Sequence, residues 1–269
     1  MADEIELKLA LHQPALLLRQ PALARALSCQ RQQLVNVYFD TPDQALRRQG
    51  IALRLRKQGR HWLQTVKCKG ESSAGLSTRP EWETAYAGHF DFSAVDATAT
   101  RRWLSRPALL KRLVPLFETR FHRTTWRFAS APGCGLQLVL DRGNIISPLG
   151  RERILEIELE LESGPVEQLF ALALELAQQV SLMPLLASKA ERGYRLVSPG
   201  GAASPSPPKP RAIDDWRSAL LVALESLLAL QEGGDAQAVA AALRHQMRQP
   251  AFGSMMLHLT ALAGGLTLP

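Results

Sequence analysis

Five stretches of this chain alternate charged with apolar residues, and that alternation constrains the fold more than any other feature. At the amino terminus Glu4, Glu6 and Lys8 alternate with Ile5, Leu7 and Leu9. Arg54 and Arg56 flank Leu55, Lys67 and Lys69 flank Cys68, and Glu81 and Glu83 flank Trp82. Glu156, Glu158 and Glu160 alternate with Ile157 and Leu159. On a β-strand, residues two apart share a face, so each stretch carries one ionic row and one apolar row. One such strand fits a solvated sheet edge. Several of them fit a closed barrel with a charged interior, its apolar faces covered by helices in an inversion of the usual arrangement. Carboxylates and cations on one inner wall suit a polyanion held together with a divalent metal.

Charge distribution narrows the ligand. The chain has 269 residues and a net charge of +7, enough for one large domain or one domain plus a smaller one. Residues 1–198 carry 27 Lys and Arg against 20 Asp and Glu, while residues 199–269 carry five of each. An anionic ligand is therefore expected in the first region. Its cations alternate with carboxylates and lack the interleaved aromatics of single-strand binders, so a small, highly charged anion fits better than nucleic acid. No apolar run approaches the roughly 20 residues of a membrane helix, and the amino terminus is acidic, unlike a signal peptide. Cys29, Cys68 and Cys134 are odd in number and widely spaced, matching neither a disulfide framework nor a zinc motif. A cytoplasmic protein without membrane association is the expectation.

Read in order, the periodicity predicts a helix over His12–Leu27 and a strand over Gln32–Asp40. Thr41-Pro42 reads as an N-cap followed by Pro at the first helical position, with Gly50 as the stop. Ile51–Lys57 and Trp62–Lys69 form a hairpin around Gly59. Gly70–Thr78 reads as a loop, Arg79–Tyr86 as a strand, and Phe92–Arg112 as mainly helical with a break near Pro107. Leu116–Phe128, Leu136–Arg142 and Arg153–Glu162 are further strands, followed by a helix from Pro165 to Val180. Residues 199–211 have linker composition. Beyond them Ile213–Leu230, Asp235–Gln249 and Phe252–Leu262 are helical candidates.

Taken together, these residues resemble the CYTH domain, or triphosphate tunnel metalloenzyme, family. Glu4-x-Glu6-x-Lys8 is similar to the family's ExExK opening. The likeness continues through Tyr38-Phe39-Asp40-Thr41, Leu53-Arg54-Leu55-Arg56, Thr65-Val66-Lys67 and Arg79-x-Glu81-x-Glu83. It runs on through Arg123 with Trp126, Asp141, Glu156-Ile157-Glu158 and the segment from Ser188 to Tyr194. The bacterial inorganic triphosphatases are the nearest type. The resemblance implies an α+β fold: an eight-stranded antiparallel closed β-barrel, or tunnel, over residues 1–198. A linker at 199–211 and a helical carboxyl-terminal region at 212–269 would follow. That last region is too short and too neutral for the complete CHAD domain often fused to such triphosphatases, and a reduced remnant is one reading of it.

The resemblance also implies roles. Lys8, Arg54, Arg56, Lys67, Arg79, Arg123, Lys189 and Arg192 would hold a triphosphate, with Lys69 and Arg120 as further candidates. Arg120 has the opposite strand parity to Arg123. Arg suits terminal phosphates because its planar fork can bond two oxygens. Glu4, Glu6, Glu81, Glu83, Asp141, Glu156, Glu158 and Glu160 would bind one or two Mg²⁺ or Mn²⁺ ions, which prefer oxygen ligands. Glu4, Glu6, Lys8 and Glu158 are the catalytic candidates. Tyr38 reads as core and His122 as a surface residue. The expected reaction is hydrolysis of inorganic triphosphate. A class IV-type adenylyl cyclase, a thiamine or nucleoside triphosphatase, and a non-catalytic polyphosphate-binding module are the alternatives. A homodimer is compatible with all of them.

Overall fold

The computed structural model describes residues 4–11, 13–73, 76–131, 133–180, 182–198 and 216–246. The linker at 199–211 and the helical candidate Phe252–Leu262 lie outside these residues, as does the side chain of Glu4. By its internal contacts the chain divides into two compact units, Met1–Gly201 and Ala202–Pro269.

The first unit is built on one antiparallel sheet. Its strands are β1 (Glu4–Leu11), β2 (Ser28–Asp40), β3 (Ile51–Gln58), β4 (His61–Cys68), β5 (Glu71–Ser73), β6 (Leu76–Arg79), β7 (Glu81–Ala85), β8 (Val114–Ala131), β9 (Cys134–Ser147), β10 (Gly150–Ser163) and β11 (Leu182–Pro184). Among the described residues, that makes eleven strands, nine of them four residues or longer. Their order is β5-β6-β1-β10-β9-β8-β2-β3-β4-β7, with β11 on β1. This order corrects the expected eight-stranded closed barrel. The ladder begins at β5 and ends at β7, so the sheet is a curled, open half-barrel. The physical reason lies at Pro80. β6 pairs with β1 and β7 pairs with β4, and the chain crosses between those edges at a residue that has no N–H for a ladder.

Two further expectations are corrected by local chemistry. The helix expected over His12–Leu27 is only α1 (Pro14–Leu17), followed by a 3-10 turn at Pro21–Arg25. Gln20, preceding Pro21, is extended at ψ 130°, as a residue before proline prefers. The expected loop at Gly70–Thr78 contains β5 and β6, with Ser77 opposite Glu6 and Arg79 opposite Glu4. Gly70 permits the approach: a Cβ there would sit 1.9 Å from the Thr78 carbonyl oxygen.

Helices pack where the apolar rows demand it. α2 (Ala45–Arg48), α3 (Thr98–Leu104) and α4 (Pro107–Leu110) belong to the region packed on Ile51, Leu53 and Val66. α5 (Glu167–Ala177) lays Leu169, Leu172, Ala173 and Leu176 on the convex side of β8, β9 and β10, against Trp126, Leu138 and Ile157. α6 (Lys189–Leu196) instead lies on the concave side, where Tyr194 packs with Leu34, Tyr38, Phe117, Phe121, Ile145 and Ile154. Gly193 is required there, since a Cβ would meet the Phe117 ring at 2.0 Å. The second unit contains α7 (Trp216–Gln231) and α8 (Ala236–Gln246). No described helix is long and apolar enough to cross a membrane.

Candidate active site

The ionic rows converge on one cavity of about 140 Å³ in the curl of the sheet. Of the residues lining it, β1 supplies Glu6 and Lys8, β3 Arg54 and Arg56, β4 Lys67, and β6 and β7 Arg79 and Glu81. β8 supplies Arg123, β10 Glu158 and Glu160, and α6 Lys189. Seven cations against four carboxylates leave a surplus of three positive charges on this lining.

Most of these charges are already paired. Lys8 Nζ donates to Glu6 at 2.8 Å and to the Ser77 hydroxyl at 3.1 Å, and Arg79 reaches the same Glu6 oxygen at 2.5 Å. Lys67 pairs with Glu81 at 2.6 Å, and Arg54 lies 3.4 Å from Glu81. Arg123 binds Asp141 through two nitrogens at 2.9 and 2.7 Å and Glu158 at 2.8 Å. Lys189 sits among three carboxylates, at 2.7 Å from Asp141, 2.9 Å from Glu158, and in contact with Glu156. Behind it, Arg192 donates to Glu156 at 2.6 Å and to Glu152 at 2.5 Å. Asp141 and Glu156 are wholly buried. Burial works to raise the Glu158 carboxyl, but Lys189, Arg123 and Lys8 outweigh it and hold it well below the ordinary carboxylate range.

Arg56 differs. Among the described residues its only bond is Nε to the Asn36 carbonyl oxygen at 2.9 Å, with no carboxylate in ion-pair reach. Burial, then repulsion from Arg54 and Arg123, pulls its guanidinium down to about 10. Beside it, Arg54 Nε is buried without a hydrogen-bond partner. Tyr38 lines the cavity as well as belonging to the core, its ring stacked 4.6 Å from Phe117.

Two carboxylate groups have the geometry of a divalent-metal site. Glu6, Glu158 and Glu160 form one triad, and Asp141, Glu156 and Glu158 the other. In each, one oxygen per residue lies within 4.8 Å of the others. Hard oxygen donors at this density suit magnesium or manganese. The first triad lines the cavity throughout, whereas the second is filled by the Lys189 ammonium.

Other expected residues are placed elsewhere. Arg120 is on the convex face, 59% exposed and paired with Glu118, as the strand parity relative to Arg123 dictates. Lys69 is exposed beyond the end of β4 and is not among the lining residues. Glu83 is exposed and accepts from Thr65 at 2.9 Å. His122 is exposed. Sequence reasoning missed Asn36, Thr119, Ser77 and Glu152. Asn36 alone carried a signal, a polar residue between Val35 and Val37 in an apolar strand.

The CYTH domain family matches residues 2–194 of this chain. The chain belongs to that family. An inorganic triphosphatase of Haemophilus influenzae is 33% identical over 201 residues, covering 74% of this chain and 56% of that protein. The chain thus spans little more than half the length of that curated relative. A solved Hippeastrum structure, described as having a dominant triphosphatase activity, aligns at TM-score 0.53 and 23% identity, covering 71% of this chain and 95% of that one. At that identity the likeness shows the fold. The α6 segment from Ser188 to Tyr194 lies within the CYTH match, and a capping box joining Ser188 and Glu191 starts the helix that carries Lys189 and Arg192.

Proposed function

We propose that this CYTH domain hydrolyses inorganic triphosphate to diphosphate and phosphate with one or two bound Mg²⁺ or Mn²⁺ ions. The observation that carries this reading is Arg56, a half-buried guanidinium whose only partner among the described residues is an amide, facing a small cavity with surplus positive charge. A triphosphate carries roughly four to five negative charges near neutral pH. The lining surplus of three, with one divalent ion added, matches that charge. The Haemophilus influenzae relative's description supports the same substrate.

In this reading Arg54 and Arg56 bind the terminal phosphate through their open donors, and Lys8, Lys67, Arg79 and Arg123 flank the chain of phosphates. Glu6, Glu158 and Glu160 would hold the metal. When bound, it supplies charge neutralisation of the phosphoryl oxygens and acidifies a coordinated water. Glu158 is kept ionised by its cationic neighbours, which suits it to ligation rather than to accepting a proton. A water oxygen would form the new bond to the terminal phosphorus as the anhydride P–O bond breaks, diphosphate leaving with the electron pair and the water proton passing to solvent. Residues 1–198 would be the catalytic domain, with 199–211 as linker and 212–269 as a helical appendage.

The test is phosphate release from tripolyphosphate, ATP, thiamine triphosphate and pyrophosphate in parallel, with Mg²⁺, Mn²⁺ or EDTA. Metal-dependent release strongest from tripolyphosphate is expected. Cyclic AMP from ATP, or tripolyphosphate binding without turnover, would refute the assignment.

A further inference from the structure

Asn36 occupies a place where a carboxylate would fit. It lies on β2, opposite Arg56 on β3 and opposite Thr119 on β8. Asn36 and Thr119 are wholly buried. The Asn36 carbonyl oxygen accepts from Arg56 Nε at 2.9 Å, and its amide nitrogen donates to the Thr119 hydroxyl at 2.8 Å. A guanidinium has only donors, so the carbonyl end must face Arg56 and the amide has a single orientation. An aspartate of nearly the same shape would give this half-buried cation the counter-charge that ions withdrawn from water ordinarily require. Lys8, Arg54, Lys67, Arg79, Arg123 and Lys189 each have such a carboxylate.

We propose that Asn36, anchored by Thr119, is a positioning residue that fixes Arg56 through Nε while leaving its charge and terminal nitrogens for a phosphate. The inference rests on the polyphosphate reading of the cavity. A neutral amide orients the fork without competing with the substrate, whereas a carboxylate would hold it equally well and neutralise it. The arrangement exchanges some stability of the empty protein for affinity toward anions.

Calorimetric titration of tripolyphosphate, pyrophosphate and sulfate into wild type, Asn36→Asp and Thr119→Val, with denaturant unfolding of each, tests this. Asn36→Asp should bind tripolyphosphate about tenfold more weakly or worse, the scale of one lost charged contact. Its unfolding midpoint should equal or exceed that of wild type. Thr119→Val, which removes the hydroxyl that anchors the amide nitrogen, should weaken binding by a smaller factor. A purely structural role would lower affinity and stability together in both variants, and that result overturns the proposal. Wild-type affinity in Asn36→Asp overturns it as well. Wild-type protein that binds pyrophosphate or sulfate but not tripolyphosphate refutes the substrate reading alone, and the amide inference is then decided by those anions. No anion binding at all refutes both.

Discussion

On the β9–β10 side of the cavity, Asp141, Glu156 and Glu158 surround Lys189, with Arg192 and Arg123 completing the pairing. On the β2–β3 side, Arg56 meets an amide and Arg54 leaves Nε without a partner. Both sides belong to one curled sheet, and both carry charges at alternate strand positions. The difference separates charges that hold the protein together from charges that await a ligand. A paired buried ion is costly to disturb, because removing one partner strands the other without water. A half-buried cation without a carboxylate, as Arg56 is, already carries a cost, and an anion relieves it.

The largest expected effect falls on the paired side. Lys189→Met leaves three buried carboxylates short of their common cation and should lower unfolding free energy by about 3–5 kcal/mol, measured by urea titration. A loss under about 1 kcal/mol, the scale of an exposed pair, would show that this side is not a buried network.

Glu6→Gln comes next. It removes one carboxylate from the triad that lines the cavity, and metal-dependent phosphate release should fall about a hundredfold, with Mn²⁺ concentration–activity curves displaced upward. Unchanged metal dependence would take Glu6 out of the metal site.

A smaller, pH-dependent effect separates the two sides again. The Glu158 carboxyl is lowered from its ordinary value of 4.5, so the unfolded chain binds this proton more readily than the folded one. The stability it contributes is complete above about pH 4.5 and is lost as pH falls through the lowered folded value. Denaturant midpoints should therefore drop below that pH, and less steeply in Glu158→Gln. Equal slopes in the two proteins would mean that Glu158 is not held by Lys189 and Arg123.

The ionic rows were legible because strand periodicity is two, so Glu6 and Lys8, Arg54 and Arg56, and Glu158 and Glu160 could be assigned to one face before any fold was known. The same parity separated Arg120 from Arg123. That the sheet stays open rather than closing into a barrel was not legible. It depends on which edge each half of the segment around Pro80 joins, and no local pattern encodes that. The strands β5 and β6 were missed because Ser72, Ser73, Ser77 and Thr78 lack a hydrophobic alternation, and pairing with β1 supplies what propensity does not. The helix after β1 stops short of what the leucine spacing alone suggests because Pro21 holds Gln20 extended. Asn36 escaped notice because its meaning is a matter of register. Only the pairing of β2 with both β3 and β8 sets it between Arg56 and Thr119.

The central claim is that Arg56, which meets an amide and no carboxylate, reads the ligand, while Arg192, paired behind the cavity, holds the protein together. Its most direct test is tripolyphosphate titration and urea unfolding of two variants side by side, Arg56→Met and Arg192→Met. Arg56→Met should lose most of its tripolyphosphate affinity with its unfolding midpoint unchanged or raised. Arg192→Met should lose stability, since Glu156 and Glu152 are left without it. The reverse pattern, with Arg56→Met destabilised and binding normally, would contradict the account.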